Sequence, residues 1–218
     1  MSFPDTRHSA LLRLHDRDEA VRRQSFEAIV DAYWQPVHKY LRLRWRETDE
    51  NAADLTQAFF SKTIESDTLA SYDPAKGTFR TYLRTCLDHF VCNARKQASR
   101  TQTLPLDFDI ATSAQSAEEL FHREWVRCLF SLVIEDLRAS RDDLRFRVFE
   151  RYDLNEAEAR PTYDELALEF GVTTVSITNY LAAMRREFRK AVLNRLRELT
   201  VTEREFRSEA RAILGVDV

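Results

Sequence analysis

Apolar positions recur along most of this chain at the spacing of a helix, not of a strand. After Asp18, the positions Val21, Phe26, Ile29, Val30 and Tyr33 begin a long helical pattern, and Val37, Tyr40, Leu41 and Leu43 carry it to about Arg46. Trp34-Gln35-Pro36 interrupts it. Proline lacks a backbone donor, so a kink or a restart is expected there. A short helical piece is expected over Ala10–His15. From about Asn51 to Glu65, Leu55, Phe59, Phe60 and Ile64 fall on one side, and Asp54, Gln57, Ala58 and Ser61 on the other. Asp73-Pro74 and Gly77 predict a loop over 66–76, and a new helix starts at Thr78.

The second half of the chain continues in the same manner. Ser116-Ala117-Glu118-Glu119 has the form of a capping box, and the helix it opens buries Leu120, Trp125, Leu129, Phe130 and Val133. A helix over Leu144–Tyr152 follows. Thr162-Tyr163-Asp164-Glu165 is a second capping box. It opens a helix that stops at Gly171, and Ile177, Leu181 and Met184 continue in another. Thr202-Glu203-Arg204-Glu205 caps a last helix ending at Gly215.

Composition agrees with an all-α fold. The 218 residues include only three Gly and five Pro, 32% are charged, and no long period-2 alternation of β-branched residues occurs. The length allows one or two domains. Residues 99–115 are polar, contain Pro105 and break the helical period, so they read as a flexible linker. The expected organisation is two helical domains over 1–98 and 116–199, that linker between them, and a C-terminal extension over 200–218.

The net charge of −3 decides nothing, but its distribution does. Lys76–Arg100 holds six Lys/Arg against one acid, with Phe79, Tyr82 and Phe90 interleaved. Arg185–Arg197 also holds six against one, and Thr101–Glu169 between them has eight Arg and sixteen acids. Cations that hold phosphates, with rings that stack on exposed bases, suit single-stranded or unpairing DNA. No signal peptide or membrane-spanning run is found, and three cysteines without a framework fit a reducing cytoplasm. Cys86, His89 and Cys92 lie at i, i+3, i+6, which spreads the end pair around the helix and offers no fourth donor. They read as core residues, not as a metal site. There is no nucleophile–base pattern and no phosphate-binding glycine loop, so neither catalysis nor a cofactor is expected.

Ala167, Gly171 four residues later and Ile177 six after that have the spacing of a helix-turn-helix. Groove-facing candidates are Thr174, Ser176, Thr178, Asn179 and Tyr180. Arg185, Arg186, Arg189 and Lys190 are candidates for phosphates.

Two linked motifs carry a resemblance. Asp54-Leu55-Thr56-Gln57 with Phe60, and then Tyr72-Asp73-Pro74, Gly77-Thr78-Phe79-Arg80 and Tyr82-Leu83, resemble region 2 of the extracytoplasmic-function sigma factors of bacterial RNA polymerase. The helix-turn-helix is similar to their region 4, and the likeness covers roughly residues 18–198. It implies that the exposed face of the helix at Asp54, Gln57 and Ser61 docks on the clamp of the largest subunit of RNA polymerase core. It implies that Arg80, Tyr82, Arg84, His89, Arg95 and Lys96 handle the −10 promoter element beside a pocket for a flipped base. The helix-turn-helix would read the −35 element, and the linker would thread the RNA-exit path of the polymerase, with Asp107 and Asp109 as candidates to mimic RNA.

The sequence departs from the family in three ways. Asn51, Ala53 and Ala58 stand where the family carries acids. A phosphate on Thr48, Thr56, Ser61 or Thr63 could restore that charge, which implies a Ser/Thr kinase as a regulator, with an anti-sigma protein as the other possibility. His89 stands where the family often has Asn, and no Lys or Arg precedes Arg185 in the recognition helix. The alternatives are a stand-alone helix-turn-helix regulator and a sigma-like adaptor without promoter activity.

Overall fold

The computed structural model describes residues 9–101, 114–140, 143–155 and 160–216, and side chains outside 98–115 within them. Nine α-helices run through these residues: α1 (Ala10–Arg13), α2 (Glu19–Arg44), α3 (Asp49–Glu65), α4 (Phe79–Thr101), α5 (Ala114–Ser140), α6 (Leu144–Phe149), α7 (Tyr163–Phe170), α8 (Thr174–Glu198) and α9 (Glu203–Leu214). No strand occurs among the described residues, so the fold is all-α. Two compact units divide them: residues up to Cys128 together with those from Leu196 on, and Leu129–Arg195. The division falls inside α5 and α8 and not at 99–115. Residues 102–113 of the expected linker, with Asp107 and Asp109, lie outside the described residues.

The starts of several helices follow from local chemistry. Asp18 accepts from the Ala20 amide at the head of α2, and Thr48 accepts from Asn51 at the head of α3. The capping box at Thr162 is reciprocal, with Glu165 bonded back to Thr162. At Ser116 the expectation is corrected: α5 already begins at Ala114, so Ser116 lies inside it. The break expected at Pro36 is also absent. α2 passes through it, because Ala32, Tyr33, Val37, Tyr40 and Leu41 on either side are buried and hold the helix together. The helix instead ends at Trp45, followed by Arg46 at φ 53°.

In the first unit, α2, α3 and α4 pack around Ile29, Tyr33, Tyr40, Leu41, Phe59, Phe79, Leu83 and Leu87, all at 1% exposure or less. The first half of α5 adds Phe121 and Trp125. Tyr33 stacks on Trp125 at 6.0 Å and meets Phe79 edge-on at 5.5 Å, and Tyr40 meets Phe121 at 5.3 Å. Asp88 ties α4 to α2. It accepts from the Tyr40 hydroxyl at 3.0 Å, the Trp45 indole at 3.1 Å and the Arg84 guanidinium at 2.7 Å. The C-terminal helix α9 belongs to the same unit, with Phe206 and Ala210 buried. The second unit centres on Val133, Phe146, Val148, Phe149, Leu166, Ile177, Leu181 and Met184. After α6, the backbone widens into one π-helical turn over Glu150–Leu154.

His122 of α5 gives the first unit a pH dependence. Its Nδ1 is buried without a hydrogen-bond partner. Burial and the Arg80 charge lower its pKa, against Glu209 and Glu118, which raise it. The folded state therefore binds this proton less readily than the unfolded chain, and the stability held by neutral His122 is lost as pH falls below about 6.5. Urea midpoints measured from pH 5 to pH 7 should decline toward acid, and His122→Asn should flatten that decline.

Candidate nucleic-acid interface

The exposed face of α3 is where the sequence places it. Asn51, Asp54, Gln57, Ala58 and Ser61 are all exposed. The four candidate hydroxyls separate. Thr48 and Ser61 are exposed, whereas Thr56 and Thr63 are buried and donate to the carbonyls of Ala52 at 2.7 Å and Phe60 at 2.8 Å. Ile64, expected on the apolar side, is 57% exposed, one residue before the end of α3, on the wall of an open cavity that it shares with Phe26 and Leu69.

The residues assigned to the −10 element do not form one surface. At about 100° per residue, Arg80, Arg84 and Arg95 lie within about 60° of one another around α4, and His89 and Lys96 lie roughly opposite. The arginine side faces inward. Arg80 donates through Nη1 to Glu209 of α9 at 2.7 Å and sits 5.1 Å over the Trp125 ring, with 12% of its side chain exposed. Arg84, 14% exposed, donates through Nε to Glu118 of α5 at 2.7 Å and through Nη1 to Asp88. Arg95 donates to the Trp45 carbonyl and to Glu47, and lies 4.9 Å over the Trp45 ring. Acids from the turn before α3 and from α4, α5 and α9 hold these three arginines.

The other side of α4 is open and carries a cavity of about 210 Å³. Phe59, Lys62 and Thr63 of α3, Ser66 and Thr68 of the following turn, and Cys86, His89, Phe90 and Asn93 of α4 line it. His89 and Asn93 are exposed at its mouth, and the Lys62 ammonium stands 5.8 Å from the Phe90 ring centroid. An aromatic wall, a cation and amide and imidazole donors can receive a planar, hydrogen-bonding ring next to a phosphate. Tyr82 stands behind the cavity, not in it. Its hydroxyl donates to the Thr68 carbonyl at 2.7 Å, its ring lies 5.6 Å from that of Tyr72, and burial together with Cys86 pushes its pKa up to about 12. Burial likewise pushes the Cys86 thiol up.

The loop before α4 is held by its own turn chemistry. Asp73 accepts from the Ala75 amide at 3.0 Å, and the Tyr72 hydroxyl lies 2.8 Å from the Gly77 carbonyl oxygen. Gly77 has φ 154°, a conformation that side chains disfavour.

In the second unit, α7 ends at Gly171, whose φ of 66° is left-handed, and the Val172 amide bonds the Ala167 carbonyl at 3.0 Å. Thr173 then caps α8 by accepting from the Ser176 amide at 3.2 Å. Ile177 and Leu181 are buried, which turns Val175, Thr178 and Asn179 outward, with Thr174, Ser176 and Tyr180 half-buried beside them. Arg186, Arg189 and Lys190 are exposed further along. Arg185 is different. Both arms of its guanidinium bond Asp153, at 2.8 and 2.9 Å, and this pairing raises its pKa. Sequence reasoning passed over Val175, which is 68% exposed on the first turn of α8. Its signal was an apolar residue out of step with Ile177 and Leu181.

No family model, curated protein or solved structure matches this chain.

Proposed function

We propose that this protein is an alternative sigma factor that binds RNA polymerase core and directs it to promoters, with no catalytic step of its own. The observation that carries this reading is the helix-turn-helix of α7 and α8, which turns Val175, Thr178 and Asn179 outward in a chain whose other unit exposes Asp54, Gln57 and Ser61 on α3. The motif resemblance in the sequence supports the same reading, and so does the cavity between α3 and α4, which is suited to an unpaired base. Its partners are then core polymerase and promoter DNA, in the cytoplasm. Among the described residues, no helix is long and apolar enough to cross a membrane.

A switch by a Ser/Thr kinase fits the missing acids of α3, and of the four hydroxyls only Thr48 and Ser61 are exposed for it. The stand-alone regulator remains the second reading, because the helix-turn-helix, apart from the last turn of α8, lies in the second unit.

The test is binding of labelled core to the full chain, followed by run-off transcription from promoters selected from a genomic library. Asp54→Lys replaces an attraction with a repulsion of up to about 1 kcal/mol each, so core affinity should fall roughly ten- to thirtyfold while the circular dichroism melt stays unchanged. Duplex binding that needs no polymerase, together with no core binding by any charge variant of α3, overturns the sigma reading in favour of the regulator.

A further inference from the structure

The C-terminal helix reaches the α3–α4 cavity through two hydrogen bonds joined by a ring contact. Glu205 is the third residue of α9, the position from which a capping-box glutamate accepts from the N-cap amide, but its Oε2 accepts from the Val201 amide, one residue before the N-cap Thr202, at 3.0 Å. Its Oε1 does something else. It accepts from the amide of Phe79, the first residue of α4, at 3.0 Å, and lies 3.1 Å from the Tyr72 hydroxyl. A carboxylate is thereby placed at the N-terminus of α4, where the unpaired amides and the helix dipole favour negative charge. Beyond Tyr72 the line continues. The Tyr72 ring packs on Tyr82, the Tyr82 hydroxyl holds the Thr68 carbonyl, and Thr68 and Cys86 line the cavity.

We propose that Glu205 is a positioning residue for this cavity. Through Tyr72 and Tyr82 it fixes the backbone at Thr68, and so the C-terminal helix sets which unpaired nucleobase the cavity accepts. The inference rests on the reading of that cavity as a base site. Discrimination among bases comes from donors and acceptors held at fixed positions, and a rim that moves loses selectivity before it loses affinity. Phosphate contacts, which dominate affinity, are made elsewhere and do not depend on the rim.

The experiment selects a randomised pool of single-stranded DNA 12-mers on the full-length protein and sequences the bound fraction. The wild type should enrich one base at one position. Glu205→Gln, Tyr72→Phe and Tyr82→Phe should each cut that enrichment by about fivefold, the worth of one hydrogen bond, while binding of the whole pool changes by less than about twofold. Amide exchange in the free protein should quicken at residues 68–72 in the same three variants. Tyr72→Phe and Tyr82→Phe leave the carboxylate of α9 in place, so they give a reading even if Glu205→Gln does not fold.

Enrichment retained in all three variants overturns the positioning role and leaves the base site standing. So does unchanged exchange at residues 68–72. An equal loss of whole-pool binding and of enrichment also overturns it, because that is what a purely structural role produces. A wild-type protein that enriches no base refutes the base site, and the positioning role with it.

Discussion

Glutamate at Thr56 should unfold the first unit, whereas glutamate at Thr48 or Ser61 should leave it folded and tighten its hold on polymerase core. Thr56 is fully buried, and its hydroxyl is bonded to the Ala52 carbonyl on the same helix. A carboxylate there is cut off from water. It must either stay ionised in an apolar site or take up a proton and bury an unsatisfied acid. Either course costs several kcal/mol, about 4 or more, a large part of the stability of a domain this size. Thr63 is nearly as buried and should behave similarly.

Thr48 and Ser61 are exposed, and Thr48 already caps α3, where a negative charge is favoured. Each new charge on the docking face is worth up to about 1 kcal/mol, or about fivefold in core affinity. Thermal melts followed by circular dichroism check the first half of this expectation, and titrations of labelled core check the second. A stable Thr56→Glu protein, or weaker core binding by both Thr48→Glu and Ser61→Glu, would refute it.

What the sequence disclosed, and what it hid, divides by distance along the chain. The caps at Thr162 and Thr202, the turn at Gly171 and the exposed stripe of α3 depend on residues within four positions of one another, and local pattern finds them. The path of α2 through Pro36 depends on burial of Tyr33 and Tyr40 against α4 and α5, which local propensity does not contain. The partners of Arg80 and Arg84 are farther away still. Glu209 lies on the last helix and Glu118 on α5.

A basic helix with interleaved aromatics therefore read as one DNA-binding surface, although helical phase alone places Arg80 and His89 on opposite sides. The role of α9 stayed open in the sequence for a related reason. Its buried face holds Glu205 and Glu209 beside Phe206 and Ala210, and buried acids make a helix look solvated. Donors of Phe79 and Arg80 on α4, with the Tyr72 hydroxyl and the Val201 amide, hold them.

Reversing Arg186 and Arg189 together should weaken duplex binding on the order of a hundredfold, while changing Arg185 should do much less. In the sequence these three cations are equivalent candidates for phosphates. The structure separates them. Arg186 and Arg189 are exposed, on the side of α8 that continues from Val175, Thr178 and Asn179. Losing two phosphate contacts should lower the slope of log affinity against log salt by about 2, and repulsion by the new carboxylates adds to the loss. Arg185 has both arms on Asp153. Arg185→Ala therefore removes an ion pair before it removes a DNA contact. It should lower the stability of the second unit by up to about 1 kcal/mol, with less than about threefold effect on DNA.

The reverse experiment is sharper. Asp153→Asn releases the guanidinium beside the groove-facing surface, and duplex affinity should rise about two- to fivefold with a steeper salt dependence. Fluorescence anisotropy on a selected duplex, from about 50 to 200 mM salt, reads all three variants against the wild type. If Arg185→Ala costs as much affinity as the double reversal, the ion pair opens on the DNA and Arg185 is a phosphate contact like its neighbours. If Asp153→Asn leaves affinity unchanged, Arg185 serves the fold of the second unit alone.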